Sequence, residues 1–87
     1  MPYTVDIKPS ALREMRNLPI EVRRRVDEAI LGLETNPRPP GSAKLAGFRD
    51  HCRIRVGDYR IAYQVRDRIL LVLVVRVGHR RDVYRGM

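Results

Sequence analysis

The amino-acid sequence predicts an α+β fold in which two N-terminal helices pack on a small, mainly antiparallel four-stranded sheet, in the order β-α-α-β-β-β. Two periodicities support this fold: apolar residues recur at helical spacing through residues 11–33, and from residue 52 they alternate with polar residues, as strands require. Between these halves, residues 36–42 contain three prolines and a glycine, which cannot continue a helix. The chain has 87 residues, the size of one compact domain, and we assign residues 1–87 to it.

The helical half opens with a short strand. Residues Tyr3 to Ile7 alternate in polarity and are followed by Pro9, a residue favoured in the first turn of a helix. The first helix is expected to have one apolar face, made of Ala11, Leu12, Met15 and Leu18. The second helix is expected to end near Glu34, and its apolar face is made of Val22, Val26, Ala29, Ile30 and Leu33.

The strand half is predicted to be a three-stranded antiparallel meander. Gly57 and Asp58 separate two alternating runs, which is the signal of a tight two-residue hairpin. That hairpin fixes a register, in which the partners are Val56 and Tyr59, Arg55 and Arg60, Ile54 and Ile61, and Arg53 and Ala62. The side chains then expected to face the core are Cys52, Ile54, Val56, Tyr59, Ile61 and Tyr63. After a turn at residues 66–68, residues 69–77 are apolar on both faces, which predicts a central strand.

The charge of the chain indicates a polyanionic partner. The formal net charge is +8, from 18 Lys and Arg against 10 Asp and Glu, and 16 of the basic residues are Arg. Residues 1–43 carry seven basic and six acidic side chains, whereas residues 44–87 carry eleven and four. Guanidinium groups suit bidentate contact with phosphate, although a genomic bias in composition would also raise the Arg content. Such a bias explains the abundance of Arg but not its segregation, which favours a nucleic-acid-binding surface.

The sequence is typical of a cytoplasmic protein. Its single cysteine, Cys52, excludes an internal disulfide, and no zinc-ligand spacing is present. Asp6 and Lys8 lie where a signal peptide needs its apolar core. The longest apolar run, residues 69–75, is too short for a transmembrane helix, which needs about 20 residues. We therefore expect neither export nor a membrane segment, and no bound metal or cofactor.

The predicted hairpin brings three arginines together on the exposed face of the sheet. Arg55 would lie directly across from Arg60, and Arg53 two residues along the same strand. Like charges that face each other across strands are destabilising, so the arrangement indicates either a phosphate-binding site or ordinary solvated edge arginines. The tail after the last strand could fold over the same patch, where Tyr84 could stack on an unpaired RNA base. In that tail His79 has the side chain best suited to proton transfer near neutral pH.

Almost the whole chain resembles the RelE family of bacterial and archaeal toxins. The resemblance is carried by residues 57–65 (GDYRIAYQV) and 77–84 (VGHRRDVY), with supporting matches in residues 12–18 and 44–47. It implies the RelE-like fold and the toxin of a type II toxin–antitoxin system. Such a toxin is an mRNA interferase that enters the A site of the small ribosomal subunit, cuts mRNA there and inhibits translation. The resemblance also implies neutralisation by a RelB-like antitoxin, in a heterodimer or heterotetramer.

The resemblance assigns roles to individual residues. Arg60 matches the transition-state arginine of the family, Arg80 the arginine proposed to assist the leaving group, and Tyr84 the tyrosine that stacks on the substrate base. We also expect Lys44 and Arg81 to contact the RNA backbone.

One departure from the family bears on proton transfer. Two lysines are usual where this chain has Arg53 and Arg55, and an arginine, with a pKa above about 12, cannot readily give up its proton. Residues 44–87 contain no glutamate either. His79 is therefore our candidate for proton transfer, with His51 and Asp82 as alternatives.

The sequence thus predicts a metal-independent endoribonuclease, in which the ribose 2′-OH attacks the adjacent phosphorus and leaves a 2′,3′-cyclic phosphate. Arg55 and Arg60 would stabilise the developing charge, Arg53 would orient the RNA backbone, and Arg80 would neutralise the leaving oxygen. Two rivals stay open: a ParE-type poison of DNA gyrase with the same fold, and a toxin homologue that binds nucleic acid without cutting it. The joint presence of Arg60, Arg80 and Tyr84 favours the ribonuclease.

Overall fold

The computed structural model describes residues 2–85 and has two helices on one face of a five-stranded sheet. The elements are β1 (Thr4–Ile7), α1 (Pro9–Arg16), α2 (Ile20–Gly32), β2 (Ala43–Lys44), β3 (His51–Val56), β4 (Tyr59–Arg66), a 3₁₀ turn (Asp67–Ile69) and β5 (Leu71–His79). In the sheet the strands lie in the order β1-β5-β4-β3-β2. Only β1 and β5 are parallel, so the α+β class and the mainly antiparallel sheet are confirmed.

The predicted number of strands is wrong, because the sheet gains the edge strand β2. Ala43 pairs with Arg53 and Lys44 with Cys52. Two residues are too few to show the alternation by which a strand is predicted from sequence. Several predicted boundaries also shift: β1 begins at residue 4 rather than 3, α2 ends at residue 32 rather than 34, and β5 spans residues 71–79 rather than 69–77.

The predicted hairpin is confirmed in every pair from Val56 and Tyr59 to Arg53 and Ala62. Gly57 has a φ of +59°, a conformation that glycine adopts without the cost that a Cβ imposes. The two turn residues therefore fix the face on which each side chain of β3 and β4 lies.

The hydrophobic core lies between the helices and the inner face of the sheet. Both helices contribute fully or almost fully buried side chains to it, namely Ala11, Met15, Val26 and Ile30. The sheet contributes Cys52, Ile54, Val56, Ile61, Tyr63, Val65, Val72, Val74 and Val77. Of the six side chains of β3 and β4 predicted to face the core, Tyr59 alone is only partly buried. The described part of the chain contains no helix long and apolar enough to cross a membrane.

A β-bulge changes which face of β5 each residue occupies. Tyr63 pairs with Val74, but Ala62 pairs with Arg76, so Val75 has no partner on β4. One extra residue reverses the alternation of inward and outward side chains beyond the bulge. As a result, Val77 lies with Ile61 on the helix side, and Arg76 lies with Ala62 on the outer face.

Hydrogen bonds of Asp67 and Tyr63 connect the proline-rich loop to β4 and to the turn that follows it. The Asp67 carboxylate accepts from Tyr3 Oη at 2.6 Å and from both terminal nitrogens of Arg38, at 3.1 and 2.9 Å. These bonds lower the pKa of Asp67 to about 2. In the same region, the buried Tyr63 hydroxyl donates to the carbonyl of Pro37 at 2.7 Å, and burial raises the pKa of Tyr63 to about 12.

Candidate nucleic-acid interface

The outer face of the sheet carries a cluster of arginines, which we call the arginine face: Arg53, Arg55 and Arg60. Arg55 and Arg60 are direct cross-strand partners, and Arg53 pairs with Ala62 in the neighbouring row. The residues next to them on β3 and β4 face the core, so these side chains point away from the helices. Among residues 2–85, none of the three has a carboxylate within salt-bridge distance. Because like charges opposed across strands destabilise a sheet, this face is suited to an external anion.

Hydrogen bonds hold Arg60 at the hairpin turn. Its Nη1 donates to the carbonyls of Gly57 at 3.0 Å and Tyr59 at 2.9 Å. Both bonds use one terminal nitrogen, and the guanidinium fork has five N–H donors in all. Arg60 is therefore oriented by the protein while part of its fork stays available for a phosphate oxygen.

The end of β5 is fixed to the same hairpin turn. The backbone N–H of Arg80 donates to the carbonyl of Asp58 at 2.8 Å, and its Nη1 lies 3.9 Å from Asp58 Oδ1. Both side chains are more than half exposed, so this ion pair adds little stability. These contacts instead fix the position of Arg80, which lies at the hairpin turn that also orients Arg60.

The C-terminal tail packs on the outer face through Val83. The backbone N–H groups of Asp82 and Val83 both donate to the carbonyl of His79, at 2.8 and 3.0 Å, which turns the chain back. Val83 is fully buried, and a Cβ built on Gly78 would lie 3.7 Å from it. Gly78 pairs with Arg60, so Val83 covers the outer face beside the arginines. The next residue, Tyr84, is exposed, as a base-stacking side chain must be.

Glu14 and Arg76 link the tail to α1, and the sequence analysis assigned a role to neither. Arg76 Nε lies 3.2 Å from Glu14 Oε2, and Arg76 Nη1 donates to the carbonyl of Arg85. Glu14 Oε1 also accepts from the backbone N–H of Val77 at 3.1 Å, where β1 no longer covers β5 because its last partner is Val74. The available signal was a charged side chain inside an apolar strand.

The two histidines lie on opposite faces of the sheet. His79 pairs with Tyr59, and their rings meet edge to face at a centroid distance of 5.7 Å. Because Tyr59 also pairs with Val56, this position is on the helix side. His51 instead pairs with Gln64 and lies two residues before Arg53 on β3, so it belongs to the outer face.

The other proposed site residues are dispersed. Lys44 is exposed on the edge strand and pairs with the inward-facing Cys52, so the structure does not bring it to the arginine face. Arg81 is exposed in the tail, and Asp82 forms an ion pair with Arg85 at 3.7 Å. Within residues 2–85, no three His, Cys, Asp or Glu side chains are close enough together to hold a metal ion.

Comparison with known proteins identifies the family. A family model described as the ParE toxin of the type II toxin–antitoxin system parDE matches residues 5–84. The toxin RelG of Mycobacterium tuberculosis is 34% identical over 86 residues, covering 98% of this chain and 99% of the relative. The mRNA interferase toxin RelE of Escherichia coli K12 is 34% identical over 88 residues, covering 97% of this chain and 92% of the relative.

Solved structures give the same result. The archaeal RelE–RelB complex of Pyrococcus horikoshii contains a chain that superposes with a TM-score of 0.83 at 30% identity, covering 95% of this chain and 100% of that one. The intact RelBE toxin–antitoxin complex of E. coli gives a TM-score of 0.78 at 33% identity, covering 88% and 95%. The chain belongs to the ParE/RelE family of type II toxin–antitoxin system toxins, which confirms the resemblance found in its sequence.

Proposed function

We propose that this toxin is a ribosome-dependent endoribonuclease that cuts mRNA in the A site and so inhibits translation in the cytoplasm. The observation that carries the proposal is the placement of Arg55 and Arg60 opposite each other in the β3–β4 hairpin, with Arg80 hydrogen-bonded to the turn of the same hairpin. It is supported by relatives named mRNA interferase that cover nearly the whole chain. Contacts of Arg53 with the RNA backbone would extend this grip, and Arg81 and Lys44 are proposed as outlying contacts.

The proposed reaction is an in-line transfer at phosphorus. The 2′-oxygen forms a bond to the adjacent phosphorus while the bond to the 5′-oxygen breaks, which leaves a 2′,3′-cyclic phosphate and a 5′-OH. Arg55 and Arg60 stabilise the charge on the equatorial oxygens, and preorganised groups of this kind can supply several kcal/mol. Arg80 neutralises the leaving oxygen, and Tyr84 holds the base so that attack is in line.

No arginine of the proposed site is suited to accept or give up the protons that move in this mechanism. The arginines keep their protons, so the proton of the 2′-OH passes to His79 or to water, and a proton from the same source reaches the leaving oxygen. The position of His79 beside Tyr59 favours water. Without a strong base at the arginine face, the protein relies on the ribosome for substrate geometry, and we propose that no metal ion takes part.

The proposed partner of the free toxin is a RelB-like antitoxin. Structural relatives of this chain have been solved as RelE–RelB complexes from E. coli, P. horikoshii and M. tuberculosis. A segment with acidic residues would complement the arginine face and mask it from RNA. Both a heterodimer and a heterotetramer are compatible with this masking.

Primer extension in a translating extract tests the proposal. The purified toxin should produce breaks within codons at the A site, and the upstream fragments should end in a 2′,3′-cyclic phosphate. The same protein should leave the supercoiling activity of DNA gyrase unchanged. Accumulation of cleaved DNA with intact mRNA would replace the proposal by gyrase poisoning, the activity for which the matching ParE model is the supporting observation.

A further inference from the structure

The outer face extends beyond the arginines into an open cleft. The cleft has a volume of about 700 Å³ and separates the polar side of α1 from the loop before β3. Its walls include Lys8, Arg13, Glu14, Phe48, His51 and Arg76, which we call the α1 cleft. None of these residues belongs to the mechanism proposed above.

The α1 cleft is continuous with the arginine face. Arg53, Ala62 and Arg76 form one row across three strands, so Arg76 is a wall shared by both regions. His51 lies one row further, two residues before Arg53 on the same face of β3. A strand of RNA gripped by the arginines would therefore enter this cleft if its path followed β3 away from the hairpin.

An aromatic pair forms one wall of the cleft. The rings of Phe48 and His51 have centroids 5.8 Å apart and are inclined at 57°. The loop is held by backbone bonds, since Leu45 N–H donates to the carbonyl of His51 at 2.9 Å and Phe48 N–H to the carbonyl of Leu45 at 3.2 Å. Aromatic surfaces held in this way can stack on a nucleotide base of any sequence.

A hydrogen bond sets the proton position on His51. Nδ1 lies 2.6 Å from the carbonyl oxygen of Arg49, and because a carbonyl only accepts, Nδ1 must carry a proton. In the neutral ring, Nε2 is then an acceptor. It can receive a hydrogen bond from an amino group of a base.

The α1 cleft also carries basic side chains that can bind an anion. Arg76 and Glu14 are paired at 3.2 Å and offset each other. Lys8 and Arg13 are exposed, and neither forms an ion pair with another residue of the described range 2–85. These two side chains can contact a phosphate while the base stacks on the opposite wall.

We propose that the α1 cleft binds a nucleotide of single-stranded RNA next to the nucleotides held by the arginine face. The base stacks on Phe48 and His51, and the backbone phosphate lies near Arg13 and Lys8. This inference rests on the proposed function, because the RNA must first be gripped by the arginines. Single-stranded RNA fits better than a peptide because the cleft joins a cationic surface to partly exposed aromatic rings.

Photocrosslinking locates the bound base directly. Short oligonucleotides with 2′-O-methyl ribose, which cannot be cut, carry one 4-thiouridine at each position in turn and are irradiated with the full-length toxin. At one position the adduct should map to the peptide that contains Phe48 and His51, and at another to the tail around Tyr84. Adducts at the tail alone, or at neither site, would overturn the α1 cleft, whereas the absence of A-site breaks in the primer-extension assay would overturn the proposed function.

Affinity measurements with the same oligonucleotides give an independent readout. Phe48→Ala should weaken binding about tenfold, the effect of losing one base–aromatic stack, and Phe48→Tyr should restore it. Arg13→Ala, at an exposed position, should weaken binding without any risk to the core. Ile69→Ala removes an exposed apolar side chain outside the cleft and is the matched control. Equal affinity of Phe48→Ala, Arg13→Ala and the control would refute the site.

Discussion

At the residue scale, the defining feature of this toxin is arginine at positions where a sheet would ordinarily avoid it. Arg55 and Arg60 are opposed across an antiparallel pair without a carboxylate partner in the described range. A bound anion would offset the repulsion between the two guanidinium groups, so the arrangement favours the binding of phosphate.

His79 provides a test of how the proton moves. General acid or base catalysis contributes about 10² to 10⁴ in rate, whereas a ring packed on Tyr59 on the helix side contributes little. We expect His79→Gln to keep single-turnover cleavage on ribosomes within about threefold of wild type, well short of that range. A loss of a hundredfold or more, with ribosome binding unchanged, would restore His79 as the proton-transfer group.

Asp67 links stability to pH. Its pKa falls from the ordinary 3.8 to about 2 in the folded protein, so its contribution is fully present above about pH 5 and is lost as the pH falls through about 2. Asp67→Asn should lower the urea midpoint of unfolding at pH 7, and the difference from wild type should shrink between pH 4 and pH 2. The exposed Asp27→Asn is the control. A difference that is independent of pH would show that the Asp67 charge is not responsible.

At the element scale, the hairpin was predictable but the faces of β5 were not. Gly57 and Asp58 separate two clearly alternating runs, and a two-residue turn allows only one register, so Arg55 and Arg60 were placed correctly from sequence. The run that forms β5 is apolar on both faces and hides the bulge at Val75. Without that bulge, His79 would lie on the outer face, near the patch over which the tail was predicted to fold.

Interactions within the C-terminal half of the site could not be predicted from the sequence either. The family resemblance singled out Arg80 and Tyr84 but could not show that Val83 anchors the tail on Gly78. Contacts between residues distant in sequence, such as Glu14 with Arg76, depend on tertiary packing that no local pattern encodes. The strand β2 was missed because two residues carry no period.

Gly78 tests whether docking of the tail matters. An added Cβ would meet Val83 at an ordinary van der Waals distance of 3.7 Å, so Gly78→Ala should keep the tail in place. Gly78→Leu adds atoms where Val83 lies, and we expect it to displace the tail and lower cleavage. Hydrogen exchange of the amides of residues 82–85 measures the docking. Wild-type protection and cleavage in the leucine variant would show that Val83 does not position Tyr84.

At the scale of the whole molecule, the two faces of the sheet differ: the helices pack on the inner face, and the arginines lie on the outer face. The inner face supplies the core and the outer face carries the arginines, so these arginines can be substituted with limited effect on folding. The net charge of +8 would add a long-range attraction that speeds association with the proposed RNA substrate.

Salt dependence measures how many phosphates the arginine face neutralises. Each phosphate contact with a single strand contributes about 0.7 to the slope of log affinity against log salt. The three arginines of this face contribute about −2 to the slope for a short uncleavable RNA, further cationic contacts make the slope steeper, and Arg53→Ala should reduce its magnitude by about 0.7. Arg24→Ala, an exposed position on α2, should leave the slope unchanged. A flat profile for the wild type would contradict a grip on the RNA backbone.

The most direct test of the central claim, that the outer-face arginines carry the toxicity, is growth arrest by Arg60→Ala expressed without antitoxin. Circular dichroism and thermal unfolding establish that the variant is folded, and Arg24→Ala provides the matched loss of one charge away from the site. We predict that folded Arg60→Ala no longer arrests growth or cuts mRNA, whereas Arg24→Ala does both as well as wild type. A folded Arg60→Ala protein with full toxicity would contradict the account.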